Sequence, residues 1–480
     1  MADSLKISVV GHTNTGKTSL LRTLTRDARF GEVSGRPGTT RHVEVARLNV
    51  QGQTLLELYD TPGIEDAIDL LDLLDQQSAQ VEQRVAARED GPTRIERFLQ
   101  SAPAAERFEQ EAKVLRQMLR SHAALYVIDA RDPVLSKHRD ELEILNMCGV
   151  PLLPLLNFVA GQKTNETEWR EMLAGLGLHA IVRFDTVAPA RDGEKTLYTK
   201  LASLLDAHGA TLQRLIRSHE SDAQQRHTAA LDLIATLLVE TAALKLRISR
   251  DEQSLQRGIE RLNKTVREHE QSCVAQLLSL HRFYPDDIDA DGLPLVDGRW
   301  EQDLFDPYTL QNMGIQLGSG AAAGAAAGLG IDLMVGGMTL GAAAATGALL
   351  GGGFQTLRHY GSDLMARVTG EKTLRVDDSI LNALATRQVD LLAALERRGH
   401  AAQQKLALAR LSDMGGGDRE PLFVRNELPE SLRRARSQSG WARDSDAVMG
   451  SSGKHQAVQQ LSKNLQGLLA SRYSDEPDQR

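Results

Sequence analysis

The chain has 480 residues, 41% hydrophobic and 4% aromatic, with a formal net charge of −8 at pH 7. That length asks for two to four domains, and the acidic balance excludes bulk attraction to nucleic acid, leaving only local basic patches. Cys148 and Cys273 stand in unrelated contexts without CxxC or histidine ligand spacing, which excludes a zinc framework, and Met1–Val10 runs straight into an apolar strand, so no cleavable leader is expected and the expected compartment is a reducing cytoplasm.

Leu5–Val10 reads as a buried strand and Lys17–Leu24 as the helix after it. Between them Val9–Leu20, VVGHTNTGKTSL, places Gly11, Gly16, Lys17 and Thr18 in the GxxxxGK[ST] register of a phosphate-binding loop. Backbone N–H groups of Gly11, His12, Thr13, Asn14, Thr15 and Gly16, with the helix start at Lys17–Ser19, can wrap an anion. Lys17 can reach the β- and γ-phosphates, and the Thr18 hydroxyl can ligate Mg²⁺. His42–Val50 and Thr54–Tyr59 flank a short polar turn as a hairpin. Just beyond it Asp60-Thr61-Pro62-Gly63 offers a carboxylate for Mg²⁺ and a glycine N–H for a γ-phosphate. Strand signals return at Ala123–Asp129, Val150–Asn157 and Ala180–Phe184. Helical patterns separate them at His138–Met147, Glu166–Leu176 and Glu194–Ala207. Residues 1–206 therefore read as an α/β P-loop NTPase domain, mostly parallel with one antiparallel edge hairpin. A helical insertion at 64–122 grows directly from the DxxG segment. Reporting nucleotide state to a partner and mere decoration are both open to it.

Three motifs carry a resemblance: GHTNTGKTSL (11–20), GRPGTTRH (35–42) and DTPG (60–63). Residues 1–206 resemble the Era/TrmE-type branch of the translation-factor-related GTPases. The resemblance implies GTP and GDP as ligands, Mg²⁺ as cofactor, and Thr39 or Thr40, with Thr40 favoured, closing onto Mg²⁺ and the γ-phosphate. Thr18, Thr40 and Asp60 would then be the metal ligands, and Lys17, Asn14 and Thr40 the catalytic set. Ile64 stands where other GTPases carry a water-orienting glutamine, and an aliphatic side chain cannot polarise water. Some relatives recruit K⁺ through an asparagine at the position of Asn14; the alternative is an asparagine capping its own turn. Glu65 or Asp66 could also place the water. The base motif departs from the pattern: Asn157-Phe158-Val159-Ala160 keeps Asn157, puts Phe158 in place of lysine and Ala160 in place of the guanine-reading carboxylate. Phe158 could stack on the base, and Asp185 could stand in for the carboxylate. The choice of GTP over ATP rests on the resemblance.

Residues 207–300 read as a charged helical arm broken near Ser249-Arg250-Asp251, either folded back as a bundle or extended as a stalk. The acidic loop Asp286–Gly292 lacks the terminal glutamate of a calcium loop. Within a helical domain at 301–412, Gly314–Gly353 carries one charge, Asp332, and glycines at four-residue spacing. That spacing predicts a glycine-zipper helical hairpin turning near Asp332–Gly337. Bilayer association at the inner membrane, a buried soluble hairpin and an oligomer seam all remain open to it, although each arm is shorter than a full span. Residues 413–480 read as a polar, partly disordered tail. The whole layout resembles a family of uncharacterised bacterial GTPases with a C-terminal domain of unknown function. The function expected first is a slow Mg²⁺-dependent GTPase that switches a helical effector region, with membrane association of that region left open. The alternatives are a nucleotide-gated scaffold, including a nucleotide-dependent homodimer, or a ribosome- or RNA-directed GTPase. No DNA-binding and no RNA-binding module is recognisable in the sequence.

Overall fold

The computed structural model describes residues 4–26, 30, 43–85, 89–159, 164–186, 189–190, 192–249, 251–283, 295–296, 299–300, 303–305, 331–335, 338–341, 372–397, 422–423, 428–442 and 451–474. They form two compact units, one built on Met1–Ala223 and the other on Gln224–Leu395 with the C-terminal helices.

The first unit is a six-stranded sheet in the order β2-β3-β1-β4-β5-β6. Its strands are β1 Leu5–Val10, β2 Glu44–Val50, β3 Gln53–Asp60, β4 Ala123–Asp129, β5 Leu152–Asn157 and β6 Val182–Arg183. Every neighbouring pair is parallel except β2 and β3, which close as a hairpin through Gln51-Gly52, both at positive φ. All seven residues of β4 and all six of β5 are buried, as strands covered by helices on both faces must be. One face carries α1 (Lys17–Thr25) and Leu197, Tyr198 and Leu201 of α7 (Gly193–Leu204). On the other lie α5 (Ser136–Met147), α6 (Glu166–Gly175) and the insertion. The insertion is three helices: α2 (Ala67–Val85), α3 (Gly91–Leu99) and α4 (Glu109–Met118). Asp90 caps α3 by accepting from Thr93 N–H, and Pro92 sits in its first turn. Within the insertion a 3₁₀ turn at Ala102–Ala104, around Pro103, separates α3 from α4.

Helix α8 (Gly209–Ala243) places Leu212, Leu215 and Ile216 in the first unit's core. Farther along, Leu231, Ile234 and Leu238 enter the second unit's core. There α9 (Glu252–Leu280), α10 (Asp378–Arg397), α11 (Glu430–Ser437) and α12 (Ser451–Ser474) share one apolar cluster. Leu295–Val296 (β8) and Arg299–Trp300 (β9) form a separate antiparallel pair. Three readings are corrected by the second unit. Lys245–Ile248, predicted as helix, is strand β7, because its β-branched and leucine residues pair with β12 (Lys372–Val376). Ile331–Val335 (β10) and Met338–Gly341 (β11) are antiparallel strands where a helical hairpin was expected, in a sheet of order β11-β10-β12-β7. Ile331, Val335 and Thr339 suit a strand better than a helix, and glycine is a poor helix former. The flanking parts of the expected glycine zipper, 314–330 and 342–353, lie outside the described residues. The expected polar tail contains α11 and α12, whose Leu432, Leu461 and Leu465 are fully buried. Among the described residues no helix is long and apolar enough to cross a membrane.

Candidate functional site

The site lies at the carboxyl ends of β1, β3, β4 and β5, around the strand-order reversal beside β1, where open α/β sheets bind ligands. The loop from β1 to α1 is held from below and from both sides. Thr15 Oγ1 donates to His12 O at 3.0 Å, and Asn157 Nδ2 donates to Thr15 O at 3.0 Å. Asn157 Oδ1 takes N–H bonds from Phe158 and Thr186, each at 2.9 Å. Asn157, the residue kept from the base motif, is a fully buried latch joining the β5 end, the phosphate loop and the β6 end. Gly63 sits against Thr13 so closely that a Cβ would lie 2.6 Å from Thr13 Cγ2 and 2.8 Å from its nitrogen. Only glycine permits that contact.

Lys17 is buried, and its Nζ donates to Gly11 O at 3.0 Å and His12 O at 2.7 Å, lying along the inside of the loop. Burial lowers its pKa, opposed by Asp60, Glu141 and Glu65. Thr18 Oγ1 donates to Asp60 Oδ2 at 2.5 Å, and Asp60 Oδ1 is buried with no hydrogen-bond partner. Burial raises the Asp60 carboxyl to about 6, although Thr18 and Lys17 act to lower it. Two hard oxygen donors side by side, one with an orphaned lone-pair face, fit Mg²⁺. Among the described residues no cluster of three or more His, Cys, Asp or Glu forms a separate metal site. Ser19 is buried in the first turn of α1. Asn14 is exposed at φ +63°, a conformation asparagine tolerates, and its side chain makes no hydrogen bond among the described residues. The turn-capping alternative is therefore not what Asn14 does. Thr39, Thr40 and Ala160 lie outside the described residues.

Sequence reasoning missed four partners. Arg131 forks onto Asp129, Nε to Oδ1 at 2.9 Å and Nη2 to Oδ2 at 2.6 Å, and its guanidinium lies 4.0 Å over the Phe158 ring. Phe158 has φ +56°, and its ring edge would be 3.3 Å from a Cβ on Gly16. The pair thus stands beside the phosphate loop. Asp185 is buried and near enough for its charge to act on Arg131. Lys137 bonds His12, and Glu111 bonds the segment after Gly63. The Asp129-Ala130-Arg131 run at a strand end was the one available signal; Lys137 and Glu111 are ordinary helix-surface residues by pattern.

Residues 170–463 match the family described as a domain of unknown function, DUF3482, across more than half of the chain. The chain belongs to that family. Residues 6–157 match the model described as 50S ribosome-binding GTPase, and this part is a P-loop GTPase domain supporting GTP binding. A tRNA modification GTPase MnmE of Jannaschia sp. (strain CCS1) is 39% identical over 77 residues, 16% of this chain and 18% of the relative. A probable GTP-binding protein EngB of Acidovorax ebreus is 38% identical over 58 residues, 12% of this chain and 27% of the relative. The chain spans less than a third of each of these curated relatives. Era of Aquifex aeolicus bound to GDP·AlF₄⁻ aligns over 41% of this chain and 55% of its own at 16% identity, with a TM-score of 0.30. That score adds nothing to the strand order already described.

Proposed function

We propose that this protein is a Mg²⁺-dependent GTP-binding protein and slow GTPase whose nucleotide state is passed to the C-terminal unit. The observation that carries it is the buried Thr18–Asp60 pair beside Lys17 within the phosphate loop. Thr18 and Asp60 would hold Mg²⁺, which supplies charge neutralisation on the transferring phosphoryl group. Lys17 would exchange its two loop carbonyls for phosphate oxygens, and Gly63 N–H would meet the γ-phosphate. Slow turnover follows from Ile64, only 1% exposed and aliphatic, at the position that would orient water. Passage to the second unit is supported by α8, one helix that contributes to both cores.

The exposed amide of Asn14, which makes no hydrogen bond among the described residues, favours a K⁺ contribution at the same step. Equal turnover in sodium and potassium buffers would dispose of it. Ile64 also favours the scaffold reading, in which nucleotide binds and turns over little. Lys17→Ala should lose nucleotide binding, hydrolysis and assembly under both readings. In the parent chain, hydrolysis that follows binding supports the switch, whereas binding and assembly with little turnover support the scaffold. Unchanged GTP binding in Lys17→Ala would remove the phosphate loop from the proposal.

A further inference from the structure

The segment leaving Gly63 is gripped by side chains from two other elements. His12 lies with Nε2 2.8 Å from Lys137 Nζ and Nδ1 3.1 Å from Ile64 O. An ammonium only donates, so Nε2 accepts from Lys137 and Nδ1–H donates to the Ile64 carbonyl. From the insertion, Glu111 of α4 places Oε1 3.2 Å from Glu65 N and 3.3 Å from Asp66 N. Its exposure is 4%, and a carboxylate buried that far is tolerated only where donors meet it. The Ile64 side chain belongs to the same buried apolar cluster as Ala67 and Leu70 of α2, Ile95 and Phe98 of α3, and Leu115 of α4. Its backbone is tied to the phosphate loop and its side chain to the insertion.

We propose that Glu111 and His12 are positioning residues that clamp Ile64–Asp66, so that the insertion α2–α4 moves with Gly63 and reports the γ-phosphate. This rests on the GTP-binding reading. Gly63 runs so close to Thr13 that a Cβ there would collide with it. Any shift needed to meet a γ-phosphate must therefore pass into Ile64–Asp66 and through Glu111 into α4. Decorative helices would not require a buried carboxylate turned onto two backbone donors of this segment.

A reporter stands at the loop. Trp169 is 4.9 Å from the His138 ring, which is 5.7 Å from the ring of His12. The chain's other tryptophans, Trp300 and Trp441, belong to the second unit's cluster and can be replaced by phenylalanine. In that full-length background, Trp169 emission and nucleotide affinity are read with GDP and with a non-hydrolysable GTP analogue, both with Mg²⁺. The two nucleotides should give different emission. Glu111→Leu should erase the difference and reduce the analogue-over-GDP preference at least about fivefold, the lower end of ordinary coupling, while GDP affinity stays near that of the parent. Glu111→Gln, which keeps an acceptor oxygen, should retain both. His12→Ala requires no buried replacement and should also erase the difference, which keeps the test open if Glu111→Leu fails to fold. Parent-like difference and preference in His12→Ala, or in a folded Glu111→Leu, would overturn the clamp. Binding of neither nucleotide by the parent would overturn the GTP reading, and the clamp with it.

Discussion

The guanidinium of Arg131 lies 4.0 Å over the ring of Phe158, fixed there by a forked pair with Asp129 at the end of β4. Phe158 also borders Gly16, so an aromatic face stands beside the loop proposed to hold the phosphates, and stacking of the base on it is the expectation to test. Stacking on such a face does not distinguish one base from another. Phe158→Ala should weaken GTP and ATP alike by about tenfold, within the range of a lost base–aromatic stack. Inorganic tripolyphosphate, which has no base, should bind unchanged, and a matching loss there would mean that the loop itself had been disturbed. Competition against a fluorescent nucleotide reads all three.

Glu141 on α5 is buried, receives the Tyr126 hydroxyl at 2.9 Å, and leaves Oε1 without a partner. Burial pushes its pKa from 4.5 to about 8, against the lowering effects of Tyr126 and Lys17. The folded chain then keeps a proton that the unfolded chain releases. Its contribution to stability is complete below about pH 4.5 and is lost as pH rises through about 8. Urea midpoints of the nucleotide-free protein should fall across that window, and Glu141→Gln should flatten the fall. An equal slope in the variant would assign it to another group.

In the second unit Arg387 pairs with Glu270 at 3.4 Å, with side-chain exposures of 6% and 7%. Gln388 donates to the same carboxylate at 3.2 Å, and the Arg387 guanidinium lies 4.3 Å over Trp300. Removing one charge strands the other. Arg387→Met should cost about 3–5 kcal/mol, and adding Glu270→Gln should restore much of it. Denaturant unfolding of the two variants checks this; a loss under about 1 kcal/mol would place the pair in contact with water.

The first unit was legible because its signals are local. Alternating buried strands and helices, GxxxxGK[ST], and DTPG all lie in short runs, and the sheet brings Thr18 within hydrogen-bond distance of Asp60. Glu111 and Lys137 were not legible, since a contact with a backbone amide or a loop histidine far along the chain leaves no periodic trace. Phe158 was visible as a departure, but its guanidinium partner depends on two parallel strands lying side by side. The second unit misled for a different reason. Leu244, Leu246 and Ile248 alternate with the period of a strand, but the run is only five residues long and sits between two long helical patterns that masked it. Around β10 and β11, glycine spacing suggested a helix surface, whereas pairing with β12 decided for strands.

The most direct measurement is equilibrium binding of GTP to the full-length protein in Mg²⁺ and in EDTA, for the native sequence and for Asp60→Asn. The expected result is binding that needs Mg²⁺ in the native sequence and is weakened at least about tenfold by the substitution, the loss of a ligand-bearing carboxylate. GTP binding that neither EDTA nor Asp60→Asn changes would contradict the assignment of Thr18 and Asp60, and absence of binding would contradict the proposed function itself.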